Sequence, residues 1–108
     1  MASAELNGGS ILGWDTFHSE SRAAFGFPDF YGNTMDAWVD CLSYLRDEDG
    51  MTRFRLGPDE VLQIVVKESA QMHARVPDLL EELTFCVAGI NERYADYGEK
   101  PALVLVLK

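Results

Sequence analysis

Basic residues are scarce in this chain: nine Lys and Arg stand against 18 Asp and Glu, for a formal net charge of −9. Direct binding to nucleic acid neutralises phosphates with Lys and Arg. This balance therefore argues against a nucleic-acid partner and permits a basic protein as one. Histidine is scarcer still, with only His18 and His73. Neither sits beside a motif that would activate a nucleophile, and both read as surface or packing residues. The chain has no Gly-x-Gly-x-x-Gly, no phosphate-binding loop and no Cys/His metal spacing. Asp47-Glu48-Asp49-Gly50 lacks the alternating ligands and closing Glu of a calcium loop. The expectation is a protein that is not an enzyme and uses no cofactor or metal.

Long apolar runs are also missing. None approaches the ~20 residues of a membrane span, and Met1-Ala2-Ser3-Ala4-Glu5 has neither the basic start nor the apolar stretch of an export signal. The expected location is the cytoplasm, with no membrane partner. Two cysteines, Cys41 and Cys86, fall in apolar surroundings on expected helices. Their context fits buried thiols better than a disulfide, although the sequence permits either.

What is present is enough for one hydrophobic core. The 108 residues are 47% hydrophobic, and the length fits one domain over 1–108. Glu5 to Gly9 reads as a short strand running into a turn. Asp15 can cap a helix over Thr16 to Phe25, ended by Gly26 and Pro28. Thr34 can cap a second helix from Met35 to Leu45, with Met35, Trp38, Leu42 and Leu45 as its buried stripe. Thr52 to Leu56 alternates well enough to predict an extra hairpin strand, with Gly57-Pro58-Asp59-Glu60 as its turn. Val61 to Val66 and Leu103 to Leu107 are nearly all apolar, as in strands covered on both faces. A short helix over Ser69 to Ala74 and a long one from Asp78 to about Tyr97 lie between them. Strands alternating with helices predict a small α/β fold with a parallel sheet and right-handed crossovers.

Opposite the buried stripe of the second helix, Asp36, Asp40, Ser43 and Asp47 form one outward line. It holds three carboxylates and no Lys or Arg partner. Like charges at i, i+4 cost about 0.2–0.5 kcal/mol. The helix dipole offsets this for Asp36 but not for Asp40. The line reads either as an ordinary solvated face or as a surface awaiting a cationic partner. Phe30 and Tyr31 in the preceding loop add the aromatic component of an anchored interface, and one of the two is expected to pack inward.

The run Phe27-Pro28-Asp29-Phe30-Tyr31-Gly32-Asn33-Thr34-Met35-Asp36-Ala37-Trp38-Val39-Asp40-Cys41-Leu42 resembles the loop and second helix of the barstar family of ribonuclease inhibitors. The likeness extends from Ala4 to Leu45, and returns at Ile90-Asn91-Glu92, Ala95-Asp96 and the last strand. It implies a three-stranded parallel sheet flanked by helices. It also implies an acidic helix that plugs the active site of a basic, extracellular-type ribonuclease. By position, the resemblance gives Asp40 the place of a substrate phosphate and Asp36 a second interfacial role. Phe30 falls at an aromatic stacking position, Gly32 at a backbone contact, and Glu92 opposite an outlying cation. Thr34, Val39 and Ser43 complete the expected partner-binding set. Phe30 stands where the family has tyrosine and Thr34 where it has asparagine. Trp38 and Val39 exchange aromatic and aliphatic positions, Leu45 replaces a tryptophan, and Arg46 to Glu60 replaces a shorter connection. Two alternatives follow from these departures: an immunity protein of the same fold against another nuclease toxin, and a regulatory module with no nuclease partner. A monomer is expected in each case.

Overall fold

A computed structural model describes residues 2–108. The order is β1 (Ala2–Asn7), a 3-10 turn (Gly8–Ser10), α1 (Trp14–Phe25), α2 (Met35–Leu42), β2 (Leu62–Lys67), α3 (Ser69–Arg75), α4 (Pro77–Asp96) and β3 (Leu103–Leu107). The three strands are parallel, with Ala2 opposite Leu62 and Leu62 opposite Leu103. Their order in the sheet, β1-β2-β3, is their order in the chain. Right-handed crossovers that step in one direction must all pass over the same face. Burial agrees: Ala4, Leu6, Leu62, Ile64, Val66 and Leu103 are covered, while Ser3, Glu5, Asn7, Lys67 and Val104 are exposed. The result is a two-layer α/β fold, as the alternation of strands and helices predicts.

One-sided winding corrects the reading of the two apolar strands. On the open face only the centre of β2 is covered, at Val65. β3 is an edge strand, with Val104 45% and Leu107 49% exposed. The predicted extra hairpin strand does not form. The backbone N–H of Arg53 donates to Phe25 O at 2.9 Å and that of Leu56 to Leu45 O at 2.7 Å, so this segment is tied to the ends of α1 and α2. The Thr52 hydroxyl also donates to Phe54 O and accepts from Phe54 N, a local alternative to a ladder. The turn at Gly57 does form, with Glu60 N donating to Gly57 O and Gly57 N to the Glu60 carboxylate.

Local chemistry explains the helix ends. α1 starts two residues before the expected boundary because Thr16, not Asp15, satisfies its entry. The Thr16 hydroxyl accepts from Leu12 N and Gly13 N and donates to Gly13 O. α1 stops at Gly26, whose φ of +68° is left-handed and whose missing side chain leaves room for Arg53. α2 ends at Leu42 rather than Leu45. There the Tyr94 hydroxyl of α4 accepts from Leu45 N at 3.0 Å and donates to Leu42 O at 3.4 Å, replacing a further helical turn. Leu45 remains fully buried, but Asp47 leaves the outward line.

The segment after α2 is held by Arg46, whose side chain is only 7% exposed. Its guanidinium donates to the carbonyls of Gly57, Glu60, Lys100 and Pro101, pairs with Glu99 at 3.5 Å and lies over the Tyr94 ring. One side chain thus joins the end of α2, the turn before β2 and the segment before β3.

Candidate partner-binding face

The loop between α1 and α2 is built to hold one aromatic in and one out. Tyr31 N donates to Pro28 O in a tight turn, and Arg22 pairs with Asp29 at 3.1 Å. Tyr31 is buried, its ring tilted against that of Phe27 with centroids 4.5 Å apart, and its hydroxyl lies 2.7 Å from His18 Nδ1. Phe30, one residue earlier, is 76% exposed. Burial drives the Tyr31 hydroxyl far above its usual range and pulls His18 below 6.5, partly countered by Asp15. His18 is therefore a packing residue, covered further by the Trp14 ring at 5.9 Å, while His73 is exposed.

Gly32 has no neighbour within 4 Å of the place a side chain would take, and its φ is not left-handed. Nothing inside the chain demands glycine there, and its backbone is open to approach. The left-handed residue is Asn33, at φ 55°. Thr34 then caps α2, its hydroxyl accepting from Ala37 N at 3.1 Å.

On α2, Trp38 and Leu42 are fully buried, Met35 is half-buried, and Asp36 and Asp40 face outward. The Trp38 indole donates to Ser21 Oγ at 3.2 Å, which fixes the helix against α1. Val39 is half-buried, and the Ser43 hydroxyl donates to Val39 O at 2.6 Å. From α4, Glu92 is exposed. Phe30, Gly32, Thr34, Asp36 and Asp40 are all exposed on the loop and α2, with Val39 and Ser43 half-buried beside them.

The sequence reading left Asp40 without a cationic partner; the packing of α4 on α2 supplies one. Arg93 Nη1 lies 3.6 Å from Asp40 Oδ1 and donates to Ser43 Oγ at 3.2 Å. The signal lay in the phase of α4: Ile90 and Tyr94 point inward, so Arg93 flanks the buried stripe. Phe85, 74% exposed on the same helix, was also missed.

Both cysteines are buried free thiols. Burial raises the pKa of each, that of Cys86 to about 11 with help from Glu82, so neither is a thiolate at neutral pH. Among the described residues no cluster of His, Cys, Asp or Glu could hold a metal ion, and no helix is long and apolar enough to cross a membrane.

Fold and face together define a small parallel α/β domain that displays a short acid-bearing helix and an aromatic loop at its surface. Residues 1–106 match the family model described as "Barstar (barnase inhibitor)". The chain belongs to the barstar family, a family of inhibitors rather than enzymes. No curated protein matches it.

Proposed function

We propose that this protein inhibits a basic ribonuclease by inserting the Asp40 face of α2 and the Phe30–Gly32 loop into the nuclease active site, acting as a monomer in the cytoplasm. The observation that carries the reading is Asp40 itself: a carboxylate 62% exposed on a helix fixed at both ends, by the Thr34 cap and by Tyr94. A ribonuclease must stabilise a phosphate with cationic and protic groups. A carboxylate presented at that position takes charge-assisted hydrogen bonds from the same groups. Because the helix is already ordered, little entropy is lost when it docks. Asp36 and Glu92 extend the charge outward, and Phe30 offers a ring to stack on the enzyme.

The test is titration of ribonuclease activity, with barnase and a panel of other basic ribonucleases as probes. Asp40→Ala is compared after a thermal melt has shown it folded. The variant keeps the parent's stability, since Ala is the better helix former. It loses roughly 2–5 kcal/mol of binding or more, because desolvated cationic groups of the enzyme lose their counter-charge. Asp36→Ala and Glu92→Ala lose less. Equal inhibition by parent and folded Asp40→Ala would leave the likeness to the family as one of fold alone.

A second reading keeps the fold and changes the toxin: an immunity protein against a nuclease unlike barnase. Arg93 beside Asp40 favours it, because that cation alters what the partner must present. Inhibition of another nuclease of the panel, with barnase untouched, separates the two readings.

A further inference from the structure

Among the described residues, Arg93 is the cation that α4 places beside Asp40. Its Nη1 donates to Ser43 Oγ at 3.2 Å and sits 3.6 Å from Asp40 Oδ1. The Ser43 proton is committed to Val39 O, so the Ser43 oxygen faces Arg93 as an acceptor. The arginine side chain is 54% exposed, and among the described residues its guanidinium makes no other hydrogen bond. An ion pair this open contributes little to folding stability. What it does contribute is a half-exposed planar fork of N–H donors, most of them without a hydrogen-bond partner among the described residues.

The surroundings place that fork where a docked surface would meet it. Arg93 lines two depressions along the seam of α2 and α4. One, of about 270 Å³, includes Met35, Asp36, Val39, Glu82 and Phe85; the other, of about 250 Å³, includes Tyr44, Asp96 and Tyr97, so acidic groups share both depressions with Arg93. Phe85 is 74% and Tyr97 83% exposed. A partner that covers Asp40 also covers Arg93. If that partner were uniformly basic, its cations would meet a like charge, and the unused donors of Arg93 would lose water without gaining an acceptor.

We propose that Arg93 is a specificity-determining residue that receives a carboxylate of the nuclease, so that the partner carries an acidic residue next to the cations that bind Asp40. The inference rests on the inhibitor reading above and sharpens it. This face rejects nucleases whose active-site rim is basic throughout and selects one of mixed charge.

Stopped-flow association and dissociation with whichever panel ribonuclease the parent inhibits test this, using Arg93→Ala, Arg93→Lys, Asp40→Ala and the Asp40→Ala/Arg93→Ala double variant. Removing Arg93 makes an acidic protein more acidic, so long-range attraction alone would speed association with a basic enzyme. A direct contact predicts faster dissociation, by about tenfold or more for Arg93→Ala, with Arg93→Lys between it and the parent. The loss from Arg93→Ala persists in the Asp40→Ala background, which it would not do if Arg93 merely oriented Asp40. Unchanged or slower dissociation of Arg93→Ala overturns the inference, as does a loss that vanishes once Asp40 is gone; in either case a weakened Asp40→Ala leaves the inhibitor reading standing. If the parent inhibits no ribonuclease of the panel, that reading and this inference fall together.

Discussion

The Tyr31 hydroxyl and His18 Nδ1 meet at 2.7 Å inside the protein, and this contact fastens the exposed loop to α1. Phe30 and Gly32, the two loop residues assigned to the partner, flank that anchor directly. Tyr31→Phe keeps the ring packing against Phe27 but leaves a buried imidazole nitrogen without its partner. Urea unfolding of this variant should show a loss of about 1–3 kcal/mol with an unchanged m-value. A midpoint equal to the parent's would mean that the contact contributes nothing.

The burial of His18 makes stability depend on pH. Burial lowers the His18 pKa below its ordinary value of 6.5, and Asp15 only partly opposes this. The unfolded chain therefore binds a proton more readily than the folded one. The His18 contribution is complete above about pH 6.5 and is lost as pH falls below that value, through the lower folded pKa. In His18→Asn the amide can replace Nδ1 as the partner of Tyr31 without titrating. Unfolding free energies measured between pH 8 and 5 should fall more steeply for the parent than for His18→Asn. Parallel profiles would remove His18 as the cause.

Arg46 ties three separate segments together through four carbonyls and Glu99. Arg46→Ala should destabilise the protein by about 3 kcal/mol, because carbonyls at the junction lose a charged donor and Tyr94 loses its cover. Arg46→Lys should recover less than half of that, since an ammonium cannot reach both sides of the junction as the planar guanidinium does. Thermal or urea melts decide the matter, and a loss below about 0.5 kcal/mol would place Arg46 among ordinary surface residues.

Thr34 occurs in the expected contact set, yet its hydroxyl is occupied as the cap of α2. Thr34→Ala should lower stability by about 1 kcal/mol while Thr34→Ser stays near the parent. If both variants inhibit a ribonuclease equally well once folded, the role of Thr34 is confined to the cap. A binding loss in a fully stable Thr34→Ser would instead assign it a contact through its methyl group.

Much of the architecture was legible because local signals agreed with tertiary ones. The bounds of β3 matched its apolar run, Gly26 ended α1, and the phase of Trp38 and Leu42 turned Asp36 and Asp40 outward. The failures have a common physical origin in partners distant along the chain. α2 ends early because Tyr94, far downstream, satisfies its last carbonyl. Thr52 to Leu56 is not a strand because Phe25 and Leu45 take up its N–H groups. β3 is half open although its residues are apolar, because winding in one direction leaves it at an edge. Arg93 escaped notice since an outward line drawn on one helix cannot reveal what the neighbouring helix places beside it.

The parallel pairing of β1 with β2 and of β2 with β3 has a consequence for when this protein can work. Each ladder joins segments separated by helices, so each must close a long loop before its hydrogen bonds form, a slow step relative to helix growth. α1, the aromatic loop and α2 lie within the first loop; Arg93 and Tyr94, which steady Asp40 and the end of α2, lie within the second. On the ribosome the first half emerges well before the second. A growing chain thus carries the α2 sequence long before it has the geometry, and the candidate face takes its final form only after Arg93 and Tyr94 have been made.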